Sequence, residues 1–180
     1  MSKKILIISS SPRKGGNSDV LSDEFLRGAL DAGHSAEKIF LRDKKINYCT
    51  GCGFCNTNDY TKCAQNDDMN VILDKMQEAD TIVFATPIYF YAICGQMKTF
   101  IDRICARYTH LINKEFYYIL SAAENSKTTV QYALGEFKGL MDCLNNPIEK
   151  GYLFAGGVWQ KGDVETTDYK QKAYMMGKNV

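Results

Sequence analysis

A chain of 180 residues, 45% of them hydrophobic, is long enough to bury one sizeable core, and a single domain is expected. Its 22 basic and 21 acidic side chains leave a net charge of +1 and lie interspersed, which argues against a nucleic-acid or anionic-membrane partner. No apolar run approaches the roughly 18 residues of a membrane span, and Met1-Ser2-Lys3-Lys4 leads into no signal-type apolar core, so a cytoplasmic protein without a membrane partner is expected.

Ile5-Leu6-Ile7-Ile8 predicts a first strand over 4–9, buried on both faces as in the middle of a parallel sheet. The chain then runs through Ser9-Ser10-Ser11-Pro12-Arg13-Lys14-Gly15-Gly16-Asn17-Ser18 into a helix over 18–32, where Leu21, Phe25, Leu26, Ala29 and Leu30 recur at helical spacing. Asn17 or Ser18 is placed to cap that helix, and Gly33 ends it. Ile39-Phe40-Leu41 marks a less apolar strand over 37–42, suited to a sheet edge. Residues 43–66 follow neither period and exceed the usual connection length, which marks a functional loop; they hold four of the seven cysteines. Asp67-Asp68 offers a cap to a helix with the stripe Met69, Ile72, Leu73, Met76 and Ala79. A third strand over 81–85, closed by Pro87, runs into Thr86-Pro87-Ile88-Tyr89-Phe90-Tyr91-Ala92-Ile93-Cys94-Gly95. Met97, Phe100, Ile101, Ile104, Cys105 and Tyr108 predict the next helix, and 116–120 the fourth strand. The small-residue loop from Ser121 to Asn125 precedes a helix built on Val130, Ala133, Leu134, Phe137, Leu140, Met141 and Leu144. A fifth strand over 152–155 and a helix over 166–176 complete the alternation.

Five strands alternating with five helices predict an α/β fold: a doubly wound five-stranded parallel sheet with helices on both faces. One domain over 1–180 would carry the cysteine-rich loop as an insertion at 43–66. In the order 2-1-3-4-5 the switch point falls between strands one and three, so the Ser9 and Pro87 loops flank one crevice at the carboxyl edge. The first loop combines helix-start N–H groups, hydroxyls and a guanidinium, which suits a phosphate, although such a cluster is also what ordinary loops are made of. The second offers backbone amides and the rings of Tyr89, Phe90 and Tyr91 to a flat ring system. Together they suit flavin mononucleotide (FMN). The dinucleotide fingerprint and the Walker loop both fail, since only Gly15-Gly16 occurs and no lysine follows Gly16.

Cys49, Cys52 and Cys55 are each separated by two residues, and Cys63 follows after seven more. Close spacing lets successive thiolates reach one compact cluster, as in the ferredoxin run, although the fourth ligand lies farther off and Ala64 replaces the proline. A four-iron four-sulfur (4Fe-4S) cluster, a zinc ion, or four empty thiols all remain open on spacing alone, and disulfides rank lower. Cys94, Cys105 and Cys143 read as small hydrophobes. His34 and His110 read as polar helix ends, and Tyr152 and Trp159 as core or subunit packing.

The S-S-S-P-R-x-G-G-N-S loop, the A-T-P-I-Y-F segment and the run from Gly95 to Arg103 resemble the NADPH-dependent FMN reductases of flavodoxin-like fold, and the resemblance covers nearly the whole chain. Within that group the cysteine segment is similar to the iron-sulfur flavoproteins, whose motif matches Cys49, Cys52, Cys55 and Cys63. The resemblance implies FMN-phosphate contacts from Ser9, Ser11, Arg13, Gly16, Asn17 and Ser18, with Pro12 in the same cofactor loop. It places Pro87, Ile88, Tyr89, Phe90 and Tyr91 along the isoalloxazine ring, and Ala122 and Ala123 at its far edge. It further implies a homodimer or homotetramer that helps close the flavin site. The expected activity is that of an FMN-dependent oxidoreductase taking electrons from NAD(P)H or a ferredoxin-type protein. Electrons would leave through the cluster or to a small acceptor such as a quinone, and no catalytic acid or base is expected. The contrary reading is a zinc-stapled, non-enzymatic protein-binding module on the same scaffold.

Overall fold

In chain order the elements are β1 (Lys4–Ser9), α1 (Asn17–Asp31), β2 (Ser35–Phe40), a short α2 (Phe54–Thr57), α3 (Met69–Glu78), β3 (Thr81–Tyr89), β4 (Ala92–Ile93), α4 (Gly95–Ile104), β5 (Glu115–Ser121), α5 (Lys127–Met141), β6 (Ile148–Ala155) and α6 (Tyr169–Lys178). The structure is a computed structural model that describes all residues, Met1–Val180. Five strands pair in parallel in the order β2-β1-β3-β5-β6, the flavodoxin-like order expected above. The two-residue β4 is an addition, folded back antiparallel on the end of β3.

The uninterrupted apolar run of β1 is buried on both faces because each side of the sheet carries helices. Leu6 and Ile8 join the core formed with α3, α4 and α5, whereas Ile5 and Ile7 join the one formed with α1 and α6. On that second face α1 and α6 cross unusually closely. A Cβ at Gly28 would lie 2.0 Å from the Tyr174 carbonyl oxygen, and one at Gly177 would lie 2.0 Å from that of Phe25. Only residues without a side chain permit this contact, and it holds α1 firmly against the sheet whose end it serves.

Three strands differ by two residues or more from those read in the sequence, and the last helix starts at Tyr169 rather than 166. Pro87 does not close β3, which continues to Tyr89. Pairing with β1 ends at Ala85, so beyond it β3 is an edge on that side, and the missing N–H of proline costs no ladder bond there. β2 starts earlier, at Ser35, and chain direction changes at a single 3-10 turn over Leu41–Asp43. β6 starts at Ile148, where its first three residues are exposed and give no apolar signal.

Candidate functional site: a cradle, an aromatic hairpin and a cysteine loop

The turn after β1 is drawn together by its own polar groups. Ser11 Oγ donates to the Arg13 carbonyl (2.8 Å), and the Gly16 N–H donates to the same oxygen (2.9 Å). Gly16 is the N-cap of α1 and has no side chain to occupy the first-turn N–H groups. Its missing Cβ matters, since that atom would sit 2.6 Å from Ser11 Oγ and 3.0 Å from the Arg13 carbonyl. Two buried polar atoms here have no partner in the protein: Ser18 Oγ, which can donate, and Asn17 Oδ1, which can accept. Asn17 Nδ2 donates to the Gln160 carbonyl (2.8 Å), and the exposed Arg13 guanidinium donates to the carbonyl of Trp159 (3.3 Å). Trp159 itself is 69% exposed, so it is no core residue; the loop after β6 forms the outer wall of the cradle.

Beneath this turn lies a carboxylate that the reading of residues 9–18 did not include. Asp19 is 4% exposed and accepts from Ser9 Oγ (2.9 Å), the Gly15 N–H (2.8 Å) and Lys38 Nζ (2.8 Å). Burial opposes its ionisation, but Lys38, the Gly15 N–H and Ser9 outweigh that and hold the carboxyl below its ordinary value. Its charge is therefore met from within, and Ser9 is turned toward it rather than toward the cradle opening.

Across the switch point, Ser10 ties the turn to β3: its N–H and its hydroxyl both donate to the Ala85 carbonyl (2.9 and 3.1 Å). Cys94, buried behind β4, approaches Ser10 Oγ at 3.2 Å, and its N–H donates to Thr86 Oγ1 (3.3 Å). It serves as a link between the two loops. The hairpin from β3 to β4 turns at Phe90 (φ 49°) and Tyr91 (φ 67°), both in the left-handed region. Two consecutive positive φ values define the tight turn normally made by Asn-Gly, and here two aromatics hold it. Tyr89, Phe90 and Tyr91 are 44%, 101% and 46% exposed, so the rings form an open rim. Tyr91 Oη donates to Glu124 (3.2 Å), which pushes the phenol above its ordinary pKa, and Glu136 accepts the Ile93 N–H (2.8 Å). Pro87 and Ile88 are buried below the rim; at the end of β5, Ala122 is buried and Ala123 exposed.

The cysteine loop sits on α3 and α4. Cys49 and Cys52 are exposed, Cys55 and Cys63 half-buried, and all seven thiols are free. Gly51 and Gly53 turn the chain at φ 66° and 72°. Asn70 fixes Cys63 by accepting its N–H (2.8 Å) and donating to its carbonyl (3.2 Å). The Phe54 N–H, then the Thr50 side chain, lower the Cys52 pKa against the opposing effect of desolvation, with a smaller contribution from Arg103. Cys105 departs from the sequence reading: it is exposed rather than core, with its Sγ 3.9 Å from that of Cys55. Partial desolvation, then Cys55, Cys49 and Cys63, push its thiol up to about 11. Cys49, Cys55, Cys63 and Cys105 thus share one neighbourhood, although no three metal-ligating side chains converge on a point. A groove of about 490 Å3 lies between this loop and the cradle, with Pro12 and Ile46 at its sides and Arg42 and Lys44 lining it. Sequence reasoning also missed Arg103, whose guanidinium is buried under the loop in a bidentate pair with Asp67 (2.7 and 2.9 Å).

A doubly wound parallel sheet in this strand order, with a glycine turn and an aromatic hairpin on either side of its switch point, defines a flavodoxin-like domain. The chain belongs to the NADPH-dependent FMN reductase family, whose description matches residues 3–148. It is 36% identical to an iron-sulfur flavoprotein of Archaeoglobus fulgidus over 167 residues, which cover 87% of this chain and 81% of that one. A second iron-sulfur flavoprotein of the same organism is 42% identical over 101 residues, 56% of this chain and 45% of that protein. The matched stretch is therefore about half the length of that relative. Among solved structures, the NAD(P)H:quinone oxidoreductase of Methanothermobacter marburgensis superposes with a TM-score of 0.76 at 15% identity, covering 99% of this chain and 97% of that one, which is a likeness of fold. No helix here is long and apolar enough to cross a membrane.

The cradle fits the phosphate of FMN by its own chemistry. A buried hydroxyl without an acceptor and free N–H groups at a helix start are what a phosphate takes up, and the glycine at position 16 lets the turn close tightly around them. The cysteine loop fits a thiolate-liganded metal group by donor type, four soft ligands on one short segment.

Proposed function

We propose that this chain is an FMN-dependent oxidoreductase that accepts electrons from NAD(P)H or a ferredoxin-type protein. It delivers them to a small acceptor such as a quinone, or through a 4Fe-4S cluster held by Cys49, Cys52, Cys55 and Cys63. The observation that carries this reading is the unpartnered Ser18 hydroxyl in the glycine cradle, with the aromatic hairpin on the other side of the switch point. When bound, FMN would supply the hydride and single-electron chemistry. Ser11, Gly16, Asn17 and Ser18 would hold its phosphate, with Arg13 adding positive charge at the mouth. Pro87 to Tyr91 would line the ring, and their rim would exclude water from one face. The name shared by the two Archaeoglobus relatives supports the cluster, and the free thiols suit a reducing, cytoplasmic setting. The exposed rings favour closure of the site by a second copy, as a homodimer or homotetramer.

Anaerobic purification followed by an absorption spectrum and metal analysis tests this reading. Flavin bands over a broad shoulder bleached by dithionite, with iron and sulfide, are expected. A colourless protein containing zinc would instead establish the stapled, non-enzymatic module. Cys52→Ala should remove the iron and leave the flavin, and loss of both would show that the two sites are not separable.

A further inference from the structure

Arg103 is the largest fully buried side chain in the molecule, 1% exposed on α4. Desolvating a guanidinium is costly and is tolerated only where partners are complete and well aligned. Its carboxylate partner, Asp67, has a fully buried side chain, and both oxygens of that carboxylate meet the guanidinium. Nη1 also donates to the carbonyl of Asn47 (2.7 Å), and Asp67 accepts the Asn47 N–H (3.1 Å) and the Met69 N–H (3.1 Å). Asn47 stands just ahead of Cys49, and Asp67 just beyond Cys63. Both ends of the cysteine loop are therefore gripped by one side chain from a different helix.

That arrangement leaves one group unexplained. Nε–H of Arg103 is buried without any acceptor in the protein, and a buried donor left unmet is normally purged. After the Asp67 hydrogen bonds, Cys63 is the neighbour that acts on the guanidinium, and it is the one sulfur among them. A thiolate sulfur, or an inorganic sulfide behind it, is the acceptor that this donor lacks.

We propose that Arg103 is the positioning residue of the cysteine site, clamping both ends of the loop and presenting an N–H and a full positive charge to sulfur at Cys63. This rests on the iron-sulfur reading. An N–H donor and a cation near cluster sulfur favour the more negatively charged, reduced form, so the clamp raises the reduction potential as well as the occupancy of the site.

The test uses the full chain, reconstituted anaerobically with ferrous iron and sulfide. Arg103→Lys keeps the charge but loses Nε and the fork, and R103Q combined with D67N removes both charges while leaving the volume filled. Iron retained against a chelator, the midpoint potential by redox titration and the thermal melting curve are measured on each. Arg103→Lys is expected to lower the potential relative to the unsubstituted protein. The paired variant is expected to retain iron roughly tenfold less well. A potential in Arg103→Lys equal to that of the unsubstituted protein, with unchanged iron retention, overturns the proposal, because a purely structural ion pair would move the melting curve alone. If Arg103→Lys does not fold, the paired variant decides by the same readouts. An unsubstituted protein that takes up no iron overturns the cluster reading instead.

Discussion

Ser10 and Ser18 are chemically identical and stand at the two ends of one β1-to-α1 connection, yet only the first has a partner in the protein. The Ser10 hydroxyl is spent on the Ala85 carbonyl, so Ser10→Ala should cost about 1 kcal/mol of stability in urea denaturation. The Ser18 hydroxyl has no partner to lose. Ser18→Ala should leave stability within about 0.5 kcal/mol while weakening FMN binding by about tenfold or more, read from flavin fluorescence during titration. Equal affinity would remove Ser18 from the cofactor site. Asp19 carries the pH dependence at this scale. Its folded pKa lies below the unfolded value, so its contribution is complete above the unfolded carboxylate range near pH 4 and is lost as pH falls through the folded value. Asp19→Asn should therefore reduce stability by about 2 kcal/mol at pH 7 and flatten the loss measured between about pH 5 and 2. None of this was visible beforehand, because an acidic residue in a first helical turn reads as solvated and favourable to the dipole. Only the register of β2 brings Lys38 over it.

At the scale of elements, the hairpin and the α1–α6 crossing make opposite demands on side chains. Phe90 and Tyr91 occupy conformations that cost an ordinary residue roughly 1 kcal/mol or more, and Phe90 is fully exposed, so folding gains nothing from it. Phe90→Asn with Tyr91→Gly should raise stability by about 1 kcal/mol in chemical denaturation and lower the rate of NAD(P)H-driven acceptor reduction. A stabilised variant with undiminished turnover would deny these rings a role. Conversely, Gly28→Ala or Gly177→Ala drives a methyl group into a backbone carbonyl and should cost about 3 kcal/mol, lowering the melting temperature by roughly 5–10 °C. The helices and inner strands were legible because their apolar periods survive in sequence. The hairpin was not, since nothing in Tyr89-Phe90-Tyr91-Ala92 carries the usual turn chemistry. The cysteine spacing was legible, but its clamp was not: Asp67 read as a helix cap, and Arg103 lies on the next helix but one.

For the whole molecule, alternation called for a parallel doubly wound sheet, and the flavodoxin-like strand order brought the two loops together. What sequence could not supply was the relation of the cysteine loop to the sheet, because a segment without periodicity gives no direction for its side chains. The structure sets it over α3 and α4, across a groove from the cradle, so the two sites share one rim while standing on different supports. Chelation of iron from the loaded protein is accordingly expected to leave FMN affinity within about twofold, measured by the same fluorescence titration.

The glycine crossing bears on when the protein becomes competent. Tyr174 Oη donates to Asp31 across 143 residues of sequence (3.1 Å), and α1 and α6 meet backbone to backbone. β1 and the turn after it are translated well ahead of α6. The sheet covers one side of α1, but the side carrying Gly28 has no partner until residues 169–178 have also been made. A nascent chain halted short of α6 would therefore carry every residue of the glycine cradle yet lack the helix that locks α1 in place behind it.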